Sequence, residues 1–209
     1  MLCAVCGQPD EVNHECKEIV PWGVEQDPPP ARGLAIGYFL KQAIKIIRWD
    51  DAAVYQASHD TRAFYAGIIC WLISQLFPVA VTTGAAVANG SPLNSTQFLK
   101  FLAIFVPFAA IYDFVRYGIC HLAAKLFFGA KASFSALIRP ILLGSLVATL
   151  VVVPVVGLFL AGAGMIAIVM LVFEEVDHIE RMQAFIISAV INVAALVGMT
   201  MLLPRLLSM

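Results

Sequence analysis

The sequence predicts an all-α, polytopic membrane protein: a five-helix transmembrane bundle that follows a short N-terminal unit with clustered cysteines. Two observations support this prediction. First, 61% of the 209 residues are hydrophobic and the mean hydropathy is +0.88, well above the values of soluble domains. Second, three long stretches, 63–99, 140–173 and 182–204, contain no charged residue. Because about 20 helical residues cross a hydrocarbon core of about 30 Å, each stretch can hold at least one crossing.

The N-terminal unit, residues 1–20, contains four residues that can bind a metal ion: Cys3, Cys6, His14 and Cys16. A closed tetrahedral zinc site needs four such ligands, and a C-x-x-C-G turn allows two thiolates to reach one ion. In a reducing compartment, clustered cysteines favour metal binding over disulfides. We expect a structural zinc ion, because four protein ligands leave no open position. The alternative is two inert thiols beside an unrelated histidine and cysteine.

A proline-rich linker, residues 21–32, separates this unit from residues 33–62. Its consecutive prolines favour an extended polyproline II conformation. Residues 33–48 have the pattern of an amphipathic helix, with Lys41, Lys45 and Arg48 on one stripe and apolar residues away from it. Two interpretations stay open: a helix at the membrane interface, or a helix packed on the cytosolic end of the bundle. The rest of this region is predicted to connect it to the first span.

The membrane domain, residues 63–209, is predicted to contain five spans, at about 64–83, 98–121, 134–153, 156–173 and 182–203. The uncharged stretch 140–173 is divided in two because a single helix of that length would measure about 51 Å, too long for one crossing. Pro154 and Gly157 mark the turn between the halves.

The orientation is predicted from positive charge in the short flanks of the spans. Lysine and arginine cluster before the first span and between the second and third: Lys41, Lys45, Arg48, Arg62, Lys125 and Lys131. The N-terminal sequence also lacks the basic and apolar regions of a cleavable leader. We therefore expect an integral membrane protein with a cytosolic N-terminus and an outside C-terminus, in the plasma (inner) membrane if the protein is prokaryotic.

Apart from Lys100 at the outer end of the second span, three charged residues fall inside the predicted spans. Asp113 and Arg116 are three residues apart and share a helix face, and Arg139 has a comparable depth in the third span. A charge at the centre of a span costs about 2.5–3.5 kcal/mol on insertion scales, so we expect Asp113 to contact Arg116 or Arg139. This intramembrane polar cluster can be an ion, proton or lipid-headgroup site. It can equally be a structural ion pair with arginines that reach the interface.

A second polar group is predicted at the inner ends of the spans: His121, Glu174, Glu175 and His178. An E-x-x-H pattern on a helix can bind metal, but one copy is a weak signal. The alternative is a set of capping and water-exposed polar residues.

Three short stretches resemble the Yip domain family, the Ypt/Rab-interacting proteins and their prokaryotic relatives. They are HLAAKLFFGAKASFSALIRP at 121–140, VVVPVVGLF at 151–159 and VFEEVDHIERMQA at 172–184. The zinc-like head and linker are similar to prokaryotic members. The resemblance implies five spans and a cytosolic N-terminus. It also implies relatives that act in vesicle trafficking and contact small GTPases, and it supplies no catalytic residues.

These observations favour a non-catalytic membrane adaptor or membrane-organising protein, with a zinc head for docking. The alternative is a small transporter or lipid-handling protein that uses Asp113, Arg116 and Arg139. Neither a phosphate-binding loop, an H-E-x-x-H helix nor a G-x-S-x-G elbow is present, so we expect no enzyme activity. The net charge of −1 gives no indication of nucleic-acid binding. The expected partners are the lipid bilayer and other membrane or cytosolic proteins, with self-association possible.

Overall fold

The structure is a computed structural model that describes residues 36–90 and 94–207. The predicted zinc unit and proline-rich linker lie outside these described residues. Within them, the chain is helical and has no strand, which confirms the all-α prediction for this part. The elements are α1 (Ile36–Ile47), α2 (Asp51–His59), α3 (Arg62–Ala88), α4 (Ser95–Phe128), α5 (Phe134–Gly144), a 3-10 segment (Ser145–Val152), α6 (Gly157–Asp177) and α7 (Arg181–Leu207).

Four helical stretches of the described chain are long and apolar enough to cross a membrane: Arg62–Ala88, Phe98–Phe128, Phe134–Val152 and Gly157–Asp177. The first four predicted spans overlap these stretches. The fifth predicted span coincides with α7 (Arg181–Leu207), of which the described apolar part is Arg181–Ala195. The fifth crossing therefore stays a prediction.

The third of these stretches, Phe134–Val152, is called here the third crossing, and it changes from α-helix to 3-10 helix at Ser145. The Ser145 hydroxyl donates to the carbonyl oxygen of Leu142 at 2.6 Å, and the Thr149 hydroxyl donates to that of Leu146 at 2.7 Å. Both bonds join residues three apart, the spacing of a 3-10 turn. The sequence pattern predicts one continuous span here and does not reveal this change.

The turn between the 3-10 segment and α6 depends on Gly157. A Cβ atom at this position would overlap the carbonyl oxygen of Leu150. Because real Cβ atoms do not approach an oxygen so closely, only glycine fits. The turn thus brings the third and fourth crossings together as antiparallel neighbours.

Residues predicted as a simple connection form the second helix, α2. Its first turn is capped by Asp50, whose side chain accepts a hydrogen bond from the backbone nitrogen of Ala53 at 3.1 Å. This is a standard N-cap, which satisfies a backbone donor that the helix itself leaves free. The D-D-A-A sequence at 50–53 was a detectable signal for it.

Helix α1 packs one face on the bundle and leaves the other face exposed. Phe39, Ala43 and Ile46 are buried, and α1 lies mainly against α5. The outer face combines apolar and basic residues whose side chains are exposed or half-buried: Ile36, Leu40, Lys41, Ile44, Lys45 and Arg48. The inner face of α1 therefore packs on the bundle, and its outer face has the composition of a helix at a membrane interface.

The described helices fall into two regions. The first, called here the packed block, comprises α1, α2, α3, α5, the 3-10 segment and α6, which contact one another closely. The second, the α4–α7 flank, is formed by α4 and α7. Helix α7 packs closely against α6 of the block, whereas α4 lies mainly against α7 and touches α5 only sparsely. Within the block, glycines allow close approach: a Cβ at Gly67 would lie 2.7 Å from the Cβ of Leu142.

Candidate functional site

A cavity of about 390 Å³ lies between the packed block and the flank. Five elements line it: α3, α4, the 3-10 segment, α6 and α7. Its walls are mostly apolar, formed by residues such as Val79, Phe105, Ala148, Leu158 and Met165. A mostly apolar cavity with a few placed polar groups is the usual form of a small-molecule site.

The polar part of this cavity is organised around Asp113 of α4. Its Oδ1 lies 3.0 Å from an Nη atom of Arg116, and its Oδ2 accepts a hydrogen bond from the indole nitrogen of Trp71 at 2.8 Å. The carboxylate therefore joins an arginine on its own helix to a tryptophan on α3. The spacing of three residues predicts the ion pair, but it does not predict the contribution of Trp71.

Arg116 has a second set of contacts, all with Tyr117. Its guanidinium carbon lies 4.5 Å from the centre of the Tyr117 ring, and an Nη atom donates to the tyrosine hydroxyl. The side chains of Arg116 and Asp113 are only 18% and 13% exposed. The Arg116 Nε atom is buried and has no hydrogen-bond partner among the described residues. The Nε–H is thus a buried donor that a further group could satisfy.

Neutral polar side chains also line the cavity, among them Ser74, Ser145 and Asn192. Both serine hydroxyls donate their proton to a backbone carbonyl oxygen three residues earlier, at 2.7 and 2.6 Å. The Asn192 amide nitrogen donates to a carbonyl oxygen one turn earlier at 2.6 Å. Since a hydroxyl has one proton, the serine oxygens can offer only lone pairs to a bound molecule. The Asn192 Oδ1 can likewise only accept.

Arg139 is not part of this group, although the sequence places it at a similar depth. Its Nη1 donates to the backbone oxygen of Ser58 at 2.7 Å, in the last turn of α2. A cation there satisfies a free carbonyl group and interacts favourably with the negative end of the helix dipole. Because α5 packs against α2, the guanidinium reaches this helix end and not α4.

The predicted inner-end group, His121 with Glu174, Glu175 and His178, does not form one site. His121 is buried on α4 beside the Phe134 ring, and Asp177 lies close enough to interact with it electrostatically. Asp177 in turn accepts a hydrogen bond from the backbone nitrogen of Ala132 at 2.8 Å. His121 therefore belongs to a contact between α4, α6 and the start of α5.

The other three members of that group serve the end of α6. Glu174 forms an ion pair with Arg181 at 2.9 Å, and His178 ends the helix in a left-handed conformation with φ of 54°. Partial desolvation, followed by repulsion from Glu174, raises the pKa of Asp51 at the start of α2. The carboxylates of Asp51 and Glu174 are thus held near each other because α2 packs against α6.

In residues 36–90 and 94–207, no group of three or more histidine, cysteine, aspartate or glutamate side chains is placed to hold a metal ion. The predicted zinc ligands Cys3, Cys6, His14 and Cys16 lie outside the part that the structure describes. The zinc site therefore stays a prediction from their spacing.

Sequence reasoning missed Trp71, Tyr117 and Asn192 as members of the cavity. A signal existed for two of them. A tryptophan N–H buried in an apolar span needs an acceptor, and an asparagine within a charge-free span needs partners. Which acceptor Trp71 would find depends on the position of α4, and no local pattern contains that information.

Comparison with protein-family models, with curated proteins and with solved structures finds no match to this chain. The resemblance of its short motifs to the Yip domain family stays a prediction.

Proposed function

We propose that this protein is a lipid-handling membrane protein that binds a small lipid-like molecule inside its helix bundle. The observation that carries the proposal is the cavity of about 390 Å³, apolar on most of its surface and polar around Asp113 and Arg116. A lipid has the same division between an apolar chain and a polar head. Four helices of the described chain are apolar and long enough to cross a bilayer, so lipid molecules would surround the bundle.

The packing around the cavity supports entry from the side. In the described residues, α3 and α4 approach each other at hardly any point, although the Trp71–Asp113 hydrogen bond joins them. Leu158, which lines the cavity, is 55% exposed, and Gly162 is also exposed. An acyl chain could therefore pass between helices without leaving the hydrocarbon region.

The position of the ion pair also supports binding. Intramembrane charges are costly, and pairing Asp113 with Arg116 offsets only part of that cost. If the pair served only to hold helices together, we would expect it at a dense helix contact. It lies instead on a cavity wall, beside the loosely packed α4.

The test fills the cavity at Gly162, where an added Cβ would meet no atom within 4 Å. The variant Gly162→Phe is compared with Gly118→Phe, because Gly118 on α4 also has open space around it but does not line the cavity. Purified proteins are delipidated in detergent, incubated with a total lipid extract and analysed by native mass spectrometry. We expect a stoichiometric bound molecule in the unmodified chain and in Gly118→Phe, but not in Gly162→Phe. Equal retention in all three proteins would refute the proposal.

We propose a second function, a partner-docking adaptor, on a different observation: Cys3, Cys6, His14 and Cys16 precede the proline-rich linker 21–32. A small zinc unit on an extended spacer is suited to contact with other proteins. Elemental analysis should find one zinc ion per chain, and Cys3→Ser together with Cys6→Ser should remove it while the membrane bundle stays assembled. Stoichiometric zinc in this double variant would exclude the ligand set. Partners that co-purify with the chain, but not with the double variant, would support docking.

The proposed orientation has α7 as a fifth crossing, with the N-terminus in the cytosol and the C-terminus outside. It rests on the positive residues that flank the first three spans. Reporter fusions at the two termini should give signals on opposite sides of the membrane. Signals on the same side would contradict the fifth crossing.

A further inference from the structure

We infer that the ligand of this cavity is a single-chain lipid with an uncharged, hydroxyl-bearing head, as in a monoacylglycerol. The inference rests on the proposed lipid-handling function and adds the chemical class of the ligand. Three features of the cavity lead to it: its charge, its hydrogen-bonding groups and its size.

The charge of the site is balanced before any ligand enters. Of the described residues that line the cavity, only Asp113 and Arg116 are charged, and they are paired at 3.0 Å. The hydrogen bond from Trp71 further satisfies the carboxylate. A carboxylate or phosphate head would add an anion beside Asp113, and an ammonium head would add a cation beside Arg116. Either charge would be left without a counter-ion in a mostly apolar site, which is unfavourable.

Four hydrogen-bonding groups of the cavity wall, on Arg116, Ser74, Ser145 and Asn192, call for both an acceptor and a donor on the ligand. The buried Nε of Arg116 is a donor without a partner among the described residues, so it suits a carbonyl or hydroxyl oxygen. Ser74 and Ser145 have used their protons, and Asn192 has an amide hydrogen bond to its own helix. These three side chains therefore suit the proton of a ligand hydroxyl. An ester of glycerol carries both kinds of group without a net charge.

The size of the cavity favours one chain. Its volume of about 390 Å³ is near the lower end of the range of about 300–1,000 Å³ for sites that hold drug-sized ligands. Small side chains widen it on α4 and α6: Ala109, Ala161 and Gly162 line the walls. One acyl chain with a small head suits this space, whereas the second chain of a phospholipid would remain in the bilayer.

The experiment uses three probes with the same oleyl-type chain and different heads: monoolein, which is neutral, oleate, which is anionic, and oleylamine, which is cationic. The full chain is placed in phosphatidylcholine nanodiscs, and the dissociation constants are measured with native mass spectrometry. We expect monoolein to bind about tenfold more tightly than either charged probe, which corresponds to about 1.4 kcal/mol. Oleate or oleylamine binding as tightly as monoolein would overturn the inference on the head, while leaving the proposed cavity in place.

Charge-altering variants test the reason for this preference. Asp113→Asn leaves Arg116 unbalanced and should shift the preference to oleate, whereas Arg116→Gln leaves Asp113 unbalanced and should shift it to oleylamine. A change that affects only folding would weaken all three probes alike and would not reverse their order. If both variants kept the order of the unmodified chain, the charge argument would be wrong.

A third variant covers the case in which these two proteins do not fold. Asn192→Leu removes an acceptor and no charge, so it should weaken monoolein several-fold and leave unchanged the weak binding of oleate, whose carboxylate has no proton to donate. An unchanged affinity for monoolein in this variant would contradict the hydrogen-bond argument. Monoolein that binds equally to Gly162→Phe would show that it binds elsewhere, and this outcome refutes the proposed function together with the inference.

Discussion

The third crossing, in the packed block, and α4, in the flank, are about equally apolar but differ sharply in packing. Their most apolar 18-residue windows have mean hydropathies of 2.0 and 1.9, yet 50% of the residues in the first are buried and only 6% in the second. In water, two such helices would both be driven into a core. In a bilayer, lipid chains cover an apolar surface as well as another helix does, so hydropathy alone does not decide which helices pack tightly.

Small residues at helix contacts account for part of this difference. In the packed block, a Cβ at Gly144 would lie 2.8 Å from the side chain of Ile168 on α6, so the two backbones approach closely there. On α4, a Cβ at Gly118 would meet nothing within 4 Å. Close approach adds dispersion contacts that lipid cannot match, and α4 does not use its glycine in this way. The cavity lies where the dense region meets the loose one.

The largest expected effect on the free energy of unfolding is that of replacing a buried phenylalanine, compared with an exposed one. Phe173 is completely buried in the packed block, whereas Phe127 on α4 is 76% exposed. Phe173→Ala should lower the free energy of unfolding by about 3–5 kcal/mol, because it leaves a void in a close-packed region. Phe127→Ala should change it by less than about 0.5 kcal/mol. Unfolding by SDS in mixed micelles measures both, and equal effects would show that the two regions are equally packed.

The ion pair tests whether the boundary between the regions is stabilised by charge. Asp113→Ala leaves Arg116 partly buried and unpaired, which should cost about 3 kcal/mol. Arg116→Ala in addition removes the unpaired charge, so the double variant should be more stable than the sum of the two single effects predicts. A double-mutant cycle in the same unfolding assay measures the coupling. Strict additivity would mean that Asp113 and Arg116 do not interact.

Trp71 joins the block to the flank through its hydrogen bond to Asp113, so its loss should loosen α4 specifically. Trp71→Phe should lower the stability by about 1.5–3 kcal/mol, as expected for a hydrogen bond to a charged group. It should also speed hydrogen exchange in α4 more than in α5. Trp49→Phe is the control, because Trp49 is 56% exposed. An equal change in hydrogen exchange in α4 and α5 would show that the Trp71–Asp113 hydrogen bond does not stabilise α4 specifically.

The smallest expected effect is the pH dependence of stability that comes from Asp60, between α2 and α3 of the packed block. Burial would raise the pKa of Asp60, but hydrogen bonds from the side chain and backbone of Arg62 outweigh it and lower the pKa below 3.8. The stabilisation is therefore present above the pKa of the unfolded state, about 3.9, and is lost as the pH falls through the lower folded value.

Because this pair is partly exposed to solvent, its contribution to stability should be small. Thermal unfolding between pH 6 and pH 3 should show a slightly steeper loss for the unmodified chain than for Asp60→Asn. Parallel curves for the two proteins would contradict the assignment.

The sequence by itself determined the features that depend on neighbours along the chain. Charge-free stretches indicate the crossings because length and hydropathy are local properties. The Pro154–Gly157 turn and the Asp113–Arg116 pair follow from residues a few positions apart, where helix geometry fixes the distance.

Only the tertiary structure decided which helices pack together and what lies between them. Trp71 and Asp113 are 42 residues apart in sequence, and Arg139 meets Ser58 across 81 residues. Such contacts depend on the relative placement of helices that are all apolar, so hydropathy does not distinguish one arrangement from another. The choice is made by shape, through glycines such as Gly67 that fit a partner's side chains, and the cavity forms where such a fit is lacking.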